Sequence, residues 1–215
     1  VFWQVDATFI DIRARNQGPS LAHPFGTDQL GRDMLARMMA GGQVSLSVGI
    51  TAMLLALFLG SLVGVLAGYF GGRVDAVVTY LITTRLSLPL FLVALAVVAM
   101  FGSSLTTVIL GHVFVALPFA VSIMKSAFDD FDQSLEEAAF DLGESVIGTF
   151  RRVTLPIVAP GIAASLLVTF TVSFDEFVLA FFLSGNQPTL PVYIWSQIRF
   201  PAKLPNTLAL GSLLL

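Results

Sequence analysis

EEAAFDLGESVIGTFRRVTLPIVAP, Glu136 to Pro160, is a charged island between long apolar runs, and its internal spacing is regular. Glu137-Ala138-Ala139 is followed after three residues by Gly143, and after nine more by Val153-Thr154-Leu155-Pro156. Asp130 with Gln133, and Ser134 with Glu137, have the spacing of helix-starting capping boxes. Phe131, Leu135, Ala138, Ala139 and Leu142 recur at helical intervals and predict one apolar face. Gly143 suits the left-handed position that ends a helix. A second short helix is predicted over 144–153, with Arg151 and Arg152 near its negative end. Pro156 is predicted to mark the turn into the next apolar run. The stretch therefore reads as two short helices joined at a glycine, a small projecting knob.

The runs around it are too apolar for a water-soluble domain. Hydrophobic residues make up 56% of the 215, charged residues only 12%, and mean hydropathy is +0.87. A soluble domain carries about twice that share of charge. Four runs, 44–69, 76–101, 104–124 and 158–183, reach the roughly 20 residues a helix needs to cross the bilayer. A fifth begins near Thr207, and its nine residues to Leu215 rise only about 13 Å as helix. The runs are continuous, not alternating, so helices and not a barrel are expected. The predicted fold is all-α: a polytopic bundle of four complete spans and a truncated fifth. Residues 1–43 form a polar segment ahead of the first span, and 44–215 the membrane domain. The start at Val1 and the stop inside an apolar run predict a piece of a longer protein.

Several functions are disfavoured by what the chain lacks. It has no cysteine and a net charge of −3, so neither thiol chemistry nor nucleic-acid binding is expected. No metal-binding or cofactor motif is present, and no H-E-x-x-H or Ser/His/Asp set suggests an enzyme. There is no G-x-x-x-x-G-K-[ST] phosphate loop, and the only lysines are Lys125 and Lys203. Any ATP hydrolysis has to come from a partner.

Three features inside the apolar runs stand out. Gly60, Gly64 and Gly68 line one helix face, which permits close helix packing within the chain or at a subunit interface. Pro89 should kink the second span. Asp175 and Glu176, in TVSFDEFVLAFF, are ionisable groups at membrane depth, where such groups usually face a water-filled path or a partner. They are candidates for contacting a cationic solute; the alternative is pairing with Arg199 or Lys203 near an interface. His112 is a lone histidine, read as a hydrogen-bonded packing residue in preference to a proton relay.

The spacing of Glu137 to Pro156 resembles the E-A-A-x3-G-x9-I-x-L-P loop of the membrane permease subunits of binding-protein-dependent ABC importers, with Val153 in place of Ile. The resemblance implies that Glu137, Ala138, Ala139, Gly143, Leu155 and Pro156 belong to a loop, 125–157, that docks on cytoplasmic ABC ATPase subunits. It further implies a second permease subunit, identical or different, an extracytoplasmic substrate-binding protein, and a place in the bacterial inner membrane. Orientation rests on that implication, because positive charge does not decide it: five Lys/Arg (Arg73, Arg85, Lys125, Arg151, Arg152) fall on the cytoplasmic side and six on the other. Residues 1–43 then lie outside.

The two halves resemble different branches of the family. HPFGTDQLGRD (His23–Asp33) and GYFGGRVD (Gly68–Asp75) resemble dipeptide, oligopeptide and nickel permeases. From Leu86 onward, KSAFDDFDQSLEEAAFDLG, SFDEFVLAFFLSG and TLPVYIWSQIRF resemble spermidine/putrescine permeases. The acidic pair favours a polyamine or similar organic cation as solute, with a peptide importer as the alternative. An ion-coupled secondary transporter using Asp175, Glu176 and His112 is a more distant one, and leaves the loop spacing unexplained.

Overall fold

The computed structural model describes residues 5–200 and 204–212, and among these there are helices and no strand. The long helix α1 spans Met34–Phe70, ten residues more at its start than the apolar run alone predicts. Its N-terminus is set by Asp33, whose Oδ1 accepts from the Ala36 N–H at 2.7 Å, a side-chain cap of the usual kind. α2 (Gly72–Ser87) and α3 (Leu90–Phe101) follow, then α4 (Leu105–Asp129), capped by Ser104.

The second apolar run is broken, not kinked. α2 and α3 meet at 91°. Pro89 holds extended dihedrals and serves as the N-cap of α3. Proline also biases the residue before it away from helix, and Leu88 is extended. Among the described residues three helices are thus long and apolar enough to cross a membrane, and a fourth crossing arises only if the bent pair is taken as one.

The knob region differs from expectation at its second half. α5 spans Ser134–Asp141 and α6 only Val146–Thr149. A π-helical turn, Phe150–Thr154, then runs directly into α7 (Leu155–Phe174). The Leu155 N–H reaches back to the Phe150 carbonyl, so the helix passes through the segment and does not end there. Pro156 falls inside this continuous helix, directly after the π-helical turn, and has no N–H to donate to the preceding turn. It marks no turn, and Arg151 and Arg152 sit within a continuous helix, not at a C-terminus. Neither expected capping box forms: Gln133 caps α5 without a side-chain bond, and Asp132 Oδ1 accepts from the Ser134 N–H at 3.0 Å instead.

The fourth run is also interrupted. α7 stops at Phe174, and α8 (Val178–Leu183) begins after Asp175, Glu176 and Phe177. α9 (Leu190–Ile198) and α10 (Leu204–Ser212) close the described chain.

α1, α4 and α7 pack on one another as the centre of the bundle, with α3 and α8 against each other beside it. Small residues permit the α1–α4 approach. A Cβ on Gly60 would lie 2.5 Å from Ala120 Cβ, and one on Gly64 2.9 Å from the Val121 carbonyl oxygen. Gly68 faces Phe128 and Asp129 at the same seam. Lys125 ties the end of this seam together, 2.5 Å from Asp129 and 3.4 Å from Asp75 of α2.

Candidate functional site

The knob exposes apolar side chains that its own fold leaves uncovered. Ala139 is buried, whereas Leu142, Val146 and Ile147 are 87%, 73% and 72% exposed. Leu142 therefore leaves the apolar face expected of it and points outward. α5 ends because Gly143 adopts φ +84°, a conformation that costs a residue with a Cβ. Its N–H donates to the Phe140 carbonyl at 2.9 Å, and the Glu144 N–H to that of Ala139 at 3.0 Å, the paired pattern of a glycine-terminated helix. Ser145 Oγ then caps α6 through the Gly148 N–H at 3.1 Å. Hydrogen bonds from Ser134, side chain first and backbone second, hold the Asp132 carboxyl below its ordinary value.

The two halves of the motif meet through residues outside it. Thr154 Oγ1 donates to Glu136 Oε1 at 2.5 Å, tying α5 to the π-helical turn that precedes Leu155 and Pro156. Arg152 pairs with Glu144 within the second half, from the π-helical turn back to the residue after Gly143. Glu137 and Ala138 are exposed, and Leu155 is 36% exposed.

The acidic pair splits between two roles. Asp175 caps α7 and lines an open cleft of about 870 Å³ whose walls include Phe170, Phe174, Phe177 and Trp195. The Phe177 and Trp195 ring centroids lie 5.7 Å apart, and those of Phe170 and Phe174 5.5 Å. A carboxylate among aromatic faces favours an organic ammonium group by charge and by cation–π attraction. Glu176 instead turns to its own chain: its Oε1 accepts from the Leu179 N–H at 3.0 Å and caps α8. Among the described residues neither acid pairs with Arg199, which lies 5.0 Å over the Trp195 ring; Lys203 falls outside the described residues. The cation whose field reaches Glu176 is Arg85 of α2, a residue the sequence does not single out. His112 is buried and its Nδ1 donates to the Val108 carbonyl at 2.8 Å.

The segment before α1 is tied together by a charged cluster, although Phe9, Ile12 and Leu21 stay exposed. Asp28 is its hub: Oδ2 pairs with Arg32 at 2.8 Å and Arg37 at 2.6 Å. Its Oδ1 accepts from the Leu30 and Arg32 N–H groups at 2.8 and 3.0 Å. Burial pushes the Asp28 carboxyl up, but these backbone bonds and Arg32 outweigh it and leave it below its ordinary value. His23 Nδ1 lies 2.8 Å from Asp33 Oδ2. Arg37 also stacks on Tyr193 at 5.0 Å, and Tyr193 Oη donates to the Met34 carbonyl at 3.2 Å. Burial pushes that hydroxyl up to about 12. The segment is thereby joined to α9, far away in sequence.

Apolar helices around a small-residue seam, a projecting apolar knob and an acidic aromatic cleft define a polytopic helical membrane permease domain. The family model described as "Binding-protein-dependent transport system inner membrane component" matches residues 60–211. The chain belongs to that family and is a multi-pass protein of the inner membrane. It is 36% identical over 189 residues to the glutathione transport system permease protein GsiD of Shigella flexneri serotype 5b, covering 85% of this chain and 61% of that protein. It is 36% identical over 137 residues to the putrescine transport system permease protein PotI of Escherichia coli K12, with 62% and 48% covered. Over 92 residues it is 46% identical to a probable molybdenum ABC transporter permease protein of Haloferax volcanii, with 43% and 34% covered. The chain thus spans about a third to three fifths of the length of these relatives, which are named as transport permeases and not as enzymes.

Proposed function

We propose that this chain forms part of the permease subunit of an ATP-driven, binding-protein-dependent importer of an organic cation of the polyamine class. The observation that carries the machine is the knob: three large apolar side chains more than 70% exposed on a folded, capped loop. Such a surface gains free energy when a partner covers it. The chain supplies no phosphate loop, so that partner is the ATPase, and residues 125–157 face the cytoplasm. Residues 1–43 then lie outside, where the substrate-binding protein delivers solute. A second permease subunit completes the path. ATPase closure displaces the knob, and the attached spans open the path to one side and then the other.

Cation preference rests on the cleft, where Asp175 stands among four aromatic rings. The relative named for putrescine supports it. A peptide solute is the second candidate, favoured by the match to a glutathione permease over 85% of the chain. Purified full-length complex in proteoliposomes, given putrescine, spermidine or a dipeptide with the matching binding protein, separates the two. Asp175→Asn should lower polyamine uptake at least tenfold. Uptake of dipeptide alone, or polyamine uptake unaffected by the substitution, overturns the cation assignment. Protease cleavage of residues 130–156 from the outer face would overturn the docking role.

A further inference from the structure

Arg85 lies near the C-terminal end of α2, three residues before the 91° break, within a stretch apolar enough to cross the membrane. An arginine there is costly unless it has work and partners. Its Nε donates to the Phe114 carbonyl of α4 at 2.9 Å. The guanidinium sits over the Phe114 ring at 4.9 Å.

That carbonyl is special. In an α-helix it would accept from the N–H four residues on, and that residue is Pro118, inside α4. Proline has no N–H, so Phe114 O is left without its helical donor. Arg85 supplies the missing bond from a different helix. Its Nη2 is buried and makes no hydrogen bond, and the neighbouring charge acting on it is Glu176. Glu176 in turn caps α8 at the second broken span. One side chain therefore touches the end of α2, the proline site of α4 and, through charge, the start of α8.

We propose that Arg85 is a positioning residue for transport, which ties the end of α2 to the proline site of α4 by donating to the carbonyl that Pro118 leaves open, and so keeps the broken second span in register with the helices beside it. It lies outside the aromatic cleft and is not among the residues lining it. Its loss changes how the path is shaped, not how solute is first bound. The role rests on the permease assignment, but its structural half does not.

The test uses the full-length permease with its ATPase and binding protein. Arg85→Gln is expected to lower maximal transport at least tenfold, with half-saturating solute concentration changed less than twofold. Pro118→Ala restores a helical N–H to Phe114 O and makes the Arg85 bond redundant. The double variant should therefore transport within threefold of Pro118→Ala alone, a non-additive cycle. Effects that multiply, or a tenfold rise in half-saturation for Arg85→Gln, overturn the proposal.

A second readout is independent of solute. These 215 residues contain no cysteine, so, with any cysteine elsewhere in the complex replaced, spin labels placed at Leu86 and Phe181 report α2 against α8. Arg85→Gln should broaden their distance distribution at least twofold, and Pro118→Ala, which gives Phe114 O a donor within α4 in place of Arg85, should broaden it likewise, with no further change in the double variant. An unchanged distribution overturns the positioning role even if transport falls. A distribution broadened by either substitution and no further by both, in a complex that moves no solute, would support the positioning geometry and count against the permease assignment.

Discussion

The segment before α1 and the knob between α4 and α7 are both polar excursions from an apolar bundle, and they are built in opposite ways. Around Asp28 every charge finds a partner: two arginines, two backbone N–H groups and a histidine–aspartate pair nearby. The knob spends its polar groups on caps and one ion pair, and leaves Leu142, Val146 and Ile147 in the open. The segment before α1 leaves apolar side chains in the open too, Leu21 wholly and Ile12 and Phe9 by more than 60%, so the two regions differ in how their charges are paired and not in apolar exposure.

The largest expected effect tests the charged cluster before α1. Asp28 is almost wholly buried, and replacing it with Ala leaves Arg32 and Arg37 without their shared carboxylate. Removing one partner of a buried ion pair costs about 3–5 kcal/mol. Hydrogen exchange of residues 14–33 should show that loss, with α4 amides unaffected. If exchange in the segment stays slow, Asp28 is not its hub. A smaller effect of the same kind comes from acid. The folded-state Asp28 carboxyl titrates below its ordinary value, so its contribution is present above the unfolded-state value and is lost as pH falls through the folded one. Exchange protection of residues 14–33 should decline over that window; protection that is constant there would remove Asp28 from the account.

Next comes Gly31. Its φ is +74°, and a Cβ would lie 1.7 Å from the Asp11 carbonyl oxygen. Gly31→Ala should open the segment by about 1–3 kcal/mol, read again by exchange. The smallest effect on stability belongs to the knob, where it sharpens the contrast. Leu142→Ser with Ile147→Ser should change the thermal midpoint by an amount corresponding to less than about 0.5 kcal/mol per site. The same pair should weaken retention of the ATPase at least tenfold in a pull-down. Destabilisation with intact ATPase binding would reverse the comparison.

Local spacing made some of this legible. A helix end at Gly143 follows from one residue's backbone freedom, and the approach of α1 to α4 is written in glycines four apart. The 91° bend at Leu88–Pro89 is only half written, because proline announces an interruption but not its angle. The π-helical turn was illegible: Arg151, Arg152 and Pro156 look like a helix end, and the ladder passes through them by reaching back one residue further. Arg85 was illegible for another reason. Its partners Phe114 and Glu176 are distant in sequence, and no periodicity connects a proline's missing donor to a guanidinium on a separate helix. The Asp28 hub resembled a family segment, yet its pairing with Arg37 and the link to Tyr193 of α9 exist only in three dimensions.

From Val146 to Phe174 the chain is one helical rod of 29 residues, about 43 Å end to end. Its lower end carries the exposed Val146 and Ile147, and its upper end delivers Asp175 into the aromatic cleft. If the rod moves as one body, a tilt of ~5° sweeps its far end through ~4 Å. A displacement of that size exceeds a hydrogen-bond length, so under the proposed docking role it would carry Asp175 into or out of contact with a group in the cleft. The π-helical turn sits near the driven end, so compliance there would tune how much of each stroke reaches the cleft.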